Sequence, residues 1–215
     1  MPRRGCLISI SGVDGSGKTT QIELLEKRIK ETRPNTLIVW SRWRPLSSLP
    51  LLALMRQLGY AKVHATSSIG FVETRISQKT GLSTLWCFLT QLDNLMKTGL
   101  KVVIPLLLGK IVICDRYVVD LIVENMADLH DSPEQMRIGH KLLRLLPHPD
   151  RAFLIEVDPK VAFERKPDMP TLLHFVERVH LYHELGKMMG VQVLDGNLPL
   201  DKIHDQIWNR VSSII

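Results

Sequence analysis

Gly12-Val-Asp-Gly-Ser-Gly-Lys18-Thr19 fills the pattern G-x-x-x-x-G-K-[ST] at every position. The glycines allow a tight turn in which successive backbone N–H groups face phosphate oxygens. A helix opening at Lys18 would add its positive end at the same point. Lys18 would neutralise charge on the β- and γ-phosphates, and the Thr19 hydroxyl is suited to Mg²⁺. Gly12, Gly15, Ser16, Gly17, Lys18, Thr19 and Thr20 are therefore the candidate phosphate-binding residues. A second group, Val112-Ile-Cys-Asp115-Arg116-Tyr117, ends an apolar run. A carboxylate there can order Mg²⁺ or its waters, or else cap a following helix. An arginine there can grip a phosphate with two parallel bonds, or else form a surface ion pair.

These residues need elements to hold them. Short β-branched or aliphatic runs at Cys6–Ser11, Thr36–Trp40, Ile111–Cys114, Ala152–Val157 and Val191–Leu194 read as buried strands. Helical spacing marks Thr19–Glu31, Ser83–Leu108, Pro133–Leu146, Thr171–Met189 and Leu200–Ile214, with a shorter helix at Leu51–Leu58. Pro105 should kink or end the long helix. Strands alternating with helices predict an α/β three-layer sandwich: a five-stranded parallel sheet covered by helices on both faces. Ligands of such sheets bind at the carboxyl edge, where both motifs emerge. Residues 1–215 read as one domain, with an acceptor-binding region over about 41–100 and a short lid over about 164–171.

The chain has 215 residues, of which 45% are hydrophobic and 23% charged, which excludes wholesale disorder. Its formal charge of +6 suits an anionic partner without choosing one. Three cysteines without a CxxC pair argue against a disulfide framework and a cysteine-built zinc site. The eight histidines form no metal signature, and His180 and His183 read as solvated or packed neighbours. No nucleic-acid-binding module is recognisable. The apolar start lacks the length and cleavage site of a signal peptide, and Leu100–Cys114 is too broken to cross a bilayer. The expectation is a cytoplasmic protein that acts on no membrane. A GTPase would carry an NKxD-type guanine motif, which is missing, and a motor would be larger. A small-molecule kinase remains.

Five blocks, in order, carry a resemblance to the thymidylate kinase family over most of the chain. They are ISISGVDGSGKTTQIELL, GKIVICDRYVVD, HPDRAFLIEVDPKVAFER, FVERVHLYHELG and VQVLDGNLPLDKIHDQI. The resemblance implies an ATP-dependent nucleoside monophosphate kinase, with dTMP as acceptor and Mg²⁺ bound with ATP. It implies that Asp14 meets the acceptor sugar and that Arg42 and Arg116 bind the acceptor phosphate. Arg165 in the lid would cover the transferring group, with Lys166 beside it. Asp195, Gly196 and Asn197 would border adenine. Thr19 and Asp115 would serve the metal, and Lys18, Asp115, Arg116 and Arg165 the transfer itself. Members commonly pair as homodimers through long helices, and Ser83–Leu108 could supply that face or be core.

This chain departs from the family pattern on the acceptor side. Ser41-Arg42-Trp43-Arg44-Pro45 replaces TREP, so Arg42 or Arg44 could be the phosphate ligand. The long helix carries Trp86, Phe88 and Gln91 but lacks the arginine that reads the base. Phe88 or Trp86 could stack on a base or belong to the core, and Gln91 could read a base edge with its amide. Glu124 and Asn125 stand where polar sugar or base contacts are expected. A different small acceptor, or a nucleotide-binding module without turnover, are the competing expectations.

Overall fold

The computed structural model describes residues 5–40, 47–65, 70–74, 81–129, 141, 143–166 and 171–215. Seven strands run through these: β1 (Cys6–Ser11), β2 (Thr36–Trp40), β3 (Ala61–Ala65), β4 (Gly70–Thr74), β5 (Ile111–Asp115), β6 (Arg151–Glu156) and β7 (Gln192–Asp195). The helices are α1 (Lys18–Lys30), α2 (Leu49–Gln57), α3 (Gly81–Leu107), α4 (Val118–Leu129), α5 (Pro159–Arg165), α6 (Leu172–Met188) and α7 (Leu200–Val211). The main sheet has the order β2-β5-β1-β6-β7, with every pair parallel. The predicted five-stranded α/β sandwich is therefore what the chain forms.

Side-chain alternation along the strands builds two cores. Ile8, Ile10, Ile111, Ile113, Phe153 and Ile155 face one way, onto Ile22, Leu25 and Ile29 of α1 and Ile203, Ile207 and Val211 of α7. Leu7, Val112, Cys114 and Leu154 face the other way, onto Val102 of α3, Leu121 of α4, Ala162 of α5 and Tyr182 of α6. Each such aliphatic side chain contributes about 1.5–3 kcal/mol by leaving water, so the two layers grip the central strands β1, β5 and β6 from both sides. Burial also pushes the Cys114 thiol up to about 12, which makes it an inert core residue.

Three helices stop in the same way. Gly59, Gly109 and Gly190 take left-handed φ values of 77°, 72° and 64° just past α2, α3 and α6. Each N–H bonds back three residues and the next N–H bonds back five, as in Lys110 N to Pro105 O at 3.0 Å. Pro105 thus does not end α3 by itself; the helix runs two residues past it, to the Gly109 stop. The segment from 42 to 82 holds α2 and an unpredicted antiparallel pair, β3 with β4. A second unpredicted element is α5, capped by Asp158, whose carboxylate accepts from Lys160 N at 2.8 Å. Most of the predicted helix Pro133–Leu146 lies outside the described residues, although Leu143 and Leu146 are buried in the α3 and α4 core.

Candidate active site

The strand register sets the site. Ile10 pairs with Asp115 across β1 and β5, and Trp40 pairs with Asp115 across β2 and β5. The loop after β1 and the turn after β5 therefore leave the sheet side by side, and Arg116 N donates to Ile10 O at 3.2 Å.

The loop is built for close approach. Gly12, Gly15 and Gly17 have φ of 142°, 81° and 90°, a region that costs any residue with a Cβ. A Cβ on Gly12 would lie 2.5 Å from Ile155 O, and one on Gly15 would lie 2.7 Å from Ala162 O of α5. Lys18 opens α1 and is buried, with Nζ donating to Gly12 O and Val13 O at 2.7 Å each. Burial, then the Arg116 charge, lowers its pKa to about 8. Thr19 and Thr20 follow in the exposed first turn of α1, and Ser16 is buried within the loop.

Arg116 is only 6% exposed, which removes the surface ion pair as an account of it. Its own φ is 68°, the left-handed region, the one non-glycine there among the described residues. Nη2 is paired with Asp14 of the loop, and Nη1 lies 3.6 Å from Glu124 and 3.9 Å from Asp120. Burial alone would lower its pKa; the carboxylates of Asp14, Asp120 and Glu124 outweigh burial, so the guanidinium stays charged. Asp115 closes β5 and does not cap α4. The start of α4 is held by Asp120, whose Oδ2 accepts from Tyr117 N at 2.9 Å, one half of a capping box. Burial raises the Asp115 carboxyl above its ordinary range, against the pull of Lys18 and Arg116.

Arg165, the last residue of α5, reaches back to the loop: its exposed guanidinium donates to Gly15 O at 3.1 Å. On the far side of the edge, Asn197 accepts from Asp158 N at 3.5 Å and donates to Asp195 Oδ1 at 2.9 Å. Gly196 N bonds to Glu156 O at 2.5 Å, an approach that a Cβ would obstruct. Lys18, Asp14, Asp115, Arg116 and Arg165 are thus brought to one edge.

The acceptor-side candidates divide. Arg42 and Arg44 lie outside the described residues. Gln91 is fully buried on α3, and neither amide atom has a hydrogen-bond partner among the described residues. Phe88, three residues earlier, is 41% exposed, while Trp86 is buried. Asp93, on the same helix, holds the chain before α2 by accepting from Ser47 N at 2.7 Å and Ser48 Oγ at 2.6 Å. Sequence reasoning gave no role to two residues at the centre of the site, Asp120 and Tyr182. An acid inside the apolar run VVDLIV, three residues past Tyr117, is the signal that marks the first. His183 pairs with Glu156 at 2.9 Å and is no metal ligand set; among the described residues, no three His, Cys, Asp or Glu could hold a metal by themselves.

This sheet order, loop and facing arginine define a P-loop kinase, a phosphotransferase. No family model matches the chain. The thymidylate kinase of Wolbachia pipientis wMel is 30% identical over 162 residues, covering 75% of this chain and 72% of that protein. That of the wPip strain from Culex pipiens is 27% identical over 216 residues, covering 97% and 94%. The crystal structure of thymidylate kinase from Ehrlichia chaffeensis shares the fold, with a TM-score of 0.61 at 20% identity over 97% of this chain and 99% of that one. The chain belongs to the thymidylate kinase family.

Proposed function

We propose that the chain transfers the γ-phosphoryl group of ATP to the 5′-phosphate of dTMP, giving dTDP and ADP. The observation that carries this is the pairing of buried Arg116 with Asp14, inside the phosphate loop. It joins the acceptor cation to the donor cradle. An acceptor that is already a phosphate needs no strong base, only alignment and positive charge between two polyanions. The Gly12–Thr20 loop binds the donor phosphates and Lys18 neutralises them. Arg116 holds the acceptor phosphate with Arg42, and Arg165 covers the transferring group. Asn197 borders the adenine.

The edge also fits Mg²⁺. The four carboxylates of Asp14, Asp115, Asp120 and Glu124 outnumber the three cations Lys18, Arg116 and Arg165 there, so the edge has room for a further positive charge. Magnesium takes one or two hard protein oxygens beside substrate phosphates, which the Thr19 hydroxyl and Asp115 provide. When bound, it neutralises charge on the transferring phosphoryl group.

On the acceptor side, Asp14 meets the sugar, the exposed Phe88 is available to stack, and Gln91 offers an unused amide to the base. Met96, Leu100, Ile104 and Leu107 recur every three or four residues along α3 and are all exposed. We assign that stripe to a homodimer contact. No described helix is long and apolar enough to cross a membrane, and an ATP-dependent reaction of this kind belongs in the cytoplasm.

The test is ADP formation from ATP–Mg²⁺ with dTMP, dUMP, CMP, UMP and thymidine as separate acceptors. The highest kcat/KM is expected with dTMP. Turnover of thymidine or CMP with dTMP inert would contradict it, as would ATP binding with no acceptor-dependent ADP at all.

A further inference from the structure

Asp120 does more than cap a helix. Capping accounts for one oxygen, Oδ2, which accepts from Tyr117 N at 2.9 Å. The other oxygen, Oδ1, accepts from the Tyr182 hydroxyl at 2.8 Å and from Gly12 N at 3.5 Å, and it lies 3.9 Å from Arg116 Nη1. Those partners belong to the helix after the lid, the entry of the phosphate loop and the acceptor arginine. A fully buried carboxylate is costly unless hydrogen-bonded and paired. A cap needs no such burial, since an N-cap side chain serves a helix start from the surface.

Two further observations point the same way. Arg116 sits at a φ of 68°, a conformation that persists only where its surroundings over-determine it. Asp120 supplies that constraint from both sides, holding the N–H of the next residue and facing the guanidinium. Burial, helped by the Asp120 charge, pushes the Tyr182 phenol well above its ordinary pKa, so it stays protonated and donates.

We propose that Asp120 is a positioning residue for phosphoryl transfer, which with Tyr182 fixes Arg116 against the entry of the phosphate loop and so aligns acceptor with donor. The inference rests on the kinase reading above. It makes Tyr182, on α6, part of the acceptor machinery without touching substrate.

Tyr182→Phe keeps the ring and removes one donor from Oδ1. Asp120→Asn keeps the shape and loses the charge and half of the accepting capacity. For each, kcat and KM are measured separately for dTMP and ATP, with ATP affinity by calorimetry and thermal melting alongside. We expect kcat/KM for dTMP to fall at least ~10-fold in Asp120→Asn and ~3-fold in Tyr182→Phe, with the ATP dissociation constant within ~2-fold of the parent. The double variant should fall no further than Asp120→Asn alone, because both act through one contact. Parent-like dTMP parameters in Tyr182→Phe would overturn the proposal, as would a lowered melting temperature with unchanged kinetics or equal losses for dTMP and ATP. If Asp120→Asn does not fold, Tyr182→Phe decides alone. A parent protein that turns over no dTMP refutes the kinase reading, and this inference with it. An active parent with an unaltered Tyr182→Phe refutes the positioning role only.

Discussion

Lys18 shows how far one side chain can be read from its surroundings. It is buried beneath its own loop, bonded to two carbonyls, and its pKa is lowered to about 8 by burial and then by Arg116. The free protein therefore holds it charged below pH 8 and increasingly neutral above. Only the charged form attracts a triphosphate, so ATP binding near pH 8.5 should take up a proton, and affinity should decline as pH rises further. Calorimetry in two buffers of different ionisation enthalpy measures the uptake; no buffer dependence would contradict the reading. Arg116 gives a second prediction. Arg116→Lys keeps a charge among Asp14, Asp120 and Glu124, so the fold should survive, but it loses the planar fork. Acceptor kcat/KM should drop ~100-fold with ATP affinity retained, as steady-state kinetics and calorimetry will show. Lys18, Asp115 and Arg116 were legible because residue type and local spacing define them. Asp120 and Tyr182 were not, because their contact joins positions 62 residues apart, and periodicity alone assigns Tyr182 to the core of its helix.

Among the elements, the strands of the main sheet were legible because each is a short apolar run bounded by turns. The β3–β4 pair was not: AKVHA alternates, but over only five residues with two small alanines, and GFVET does not alternate, so neither stands apart from the polar segment around it. The seven residues of α5 are too few to show a period, although Asp158 followed by Pro159 is a helix-start signal. This short helix matters to the site, since Ala162 O lies against Gly15 and Arg165 reaches the loop. Gly15→Ala should therefore cost about 1–3 kcal/mol from backbone strain and weaken ATP binding as α5 is pushed away. Gly81→Ala is the control: among the described residues no atom outside its own helix turn lies within 4 Å of its Cβ position and its φ is unremarkable, so it should be neutral or slightly stabilising. Denaturant unfolding and ATP calorimetry on both variants check this, and equal behaviour of the two would show that the α5 contact is dispensable.

At the scale of the molecule, the parallel sheet gathers its carboxyl edges while the exposed stripe on α3 stays outside the two cores. A double substitution, Leu100→Glu with Ile104→Glu, should leave kinase turnover at the sheet's carboxyl edge intact but yield a monomer by analytical ultracentrifugation. An unchanged sedimentation profile would remove α3 as the contact. If two anionic nucleotides meet end to end between the phosphate loop and Arg116, one ligand carrying both should span the site. A dinucleoside pentaphosphate bearing adenosine at one end and thymidine at the other spans both arms, and its affinity tests that geometry directly. Binding should be at least ~100-fold tighter than that of ATP, with the gain lost in Arg116→Lys; affinity no better than that of ATP would rule the end-to-end arrangement out.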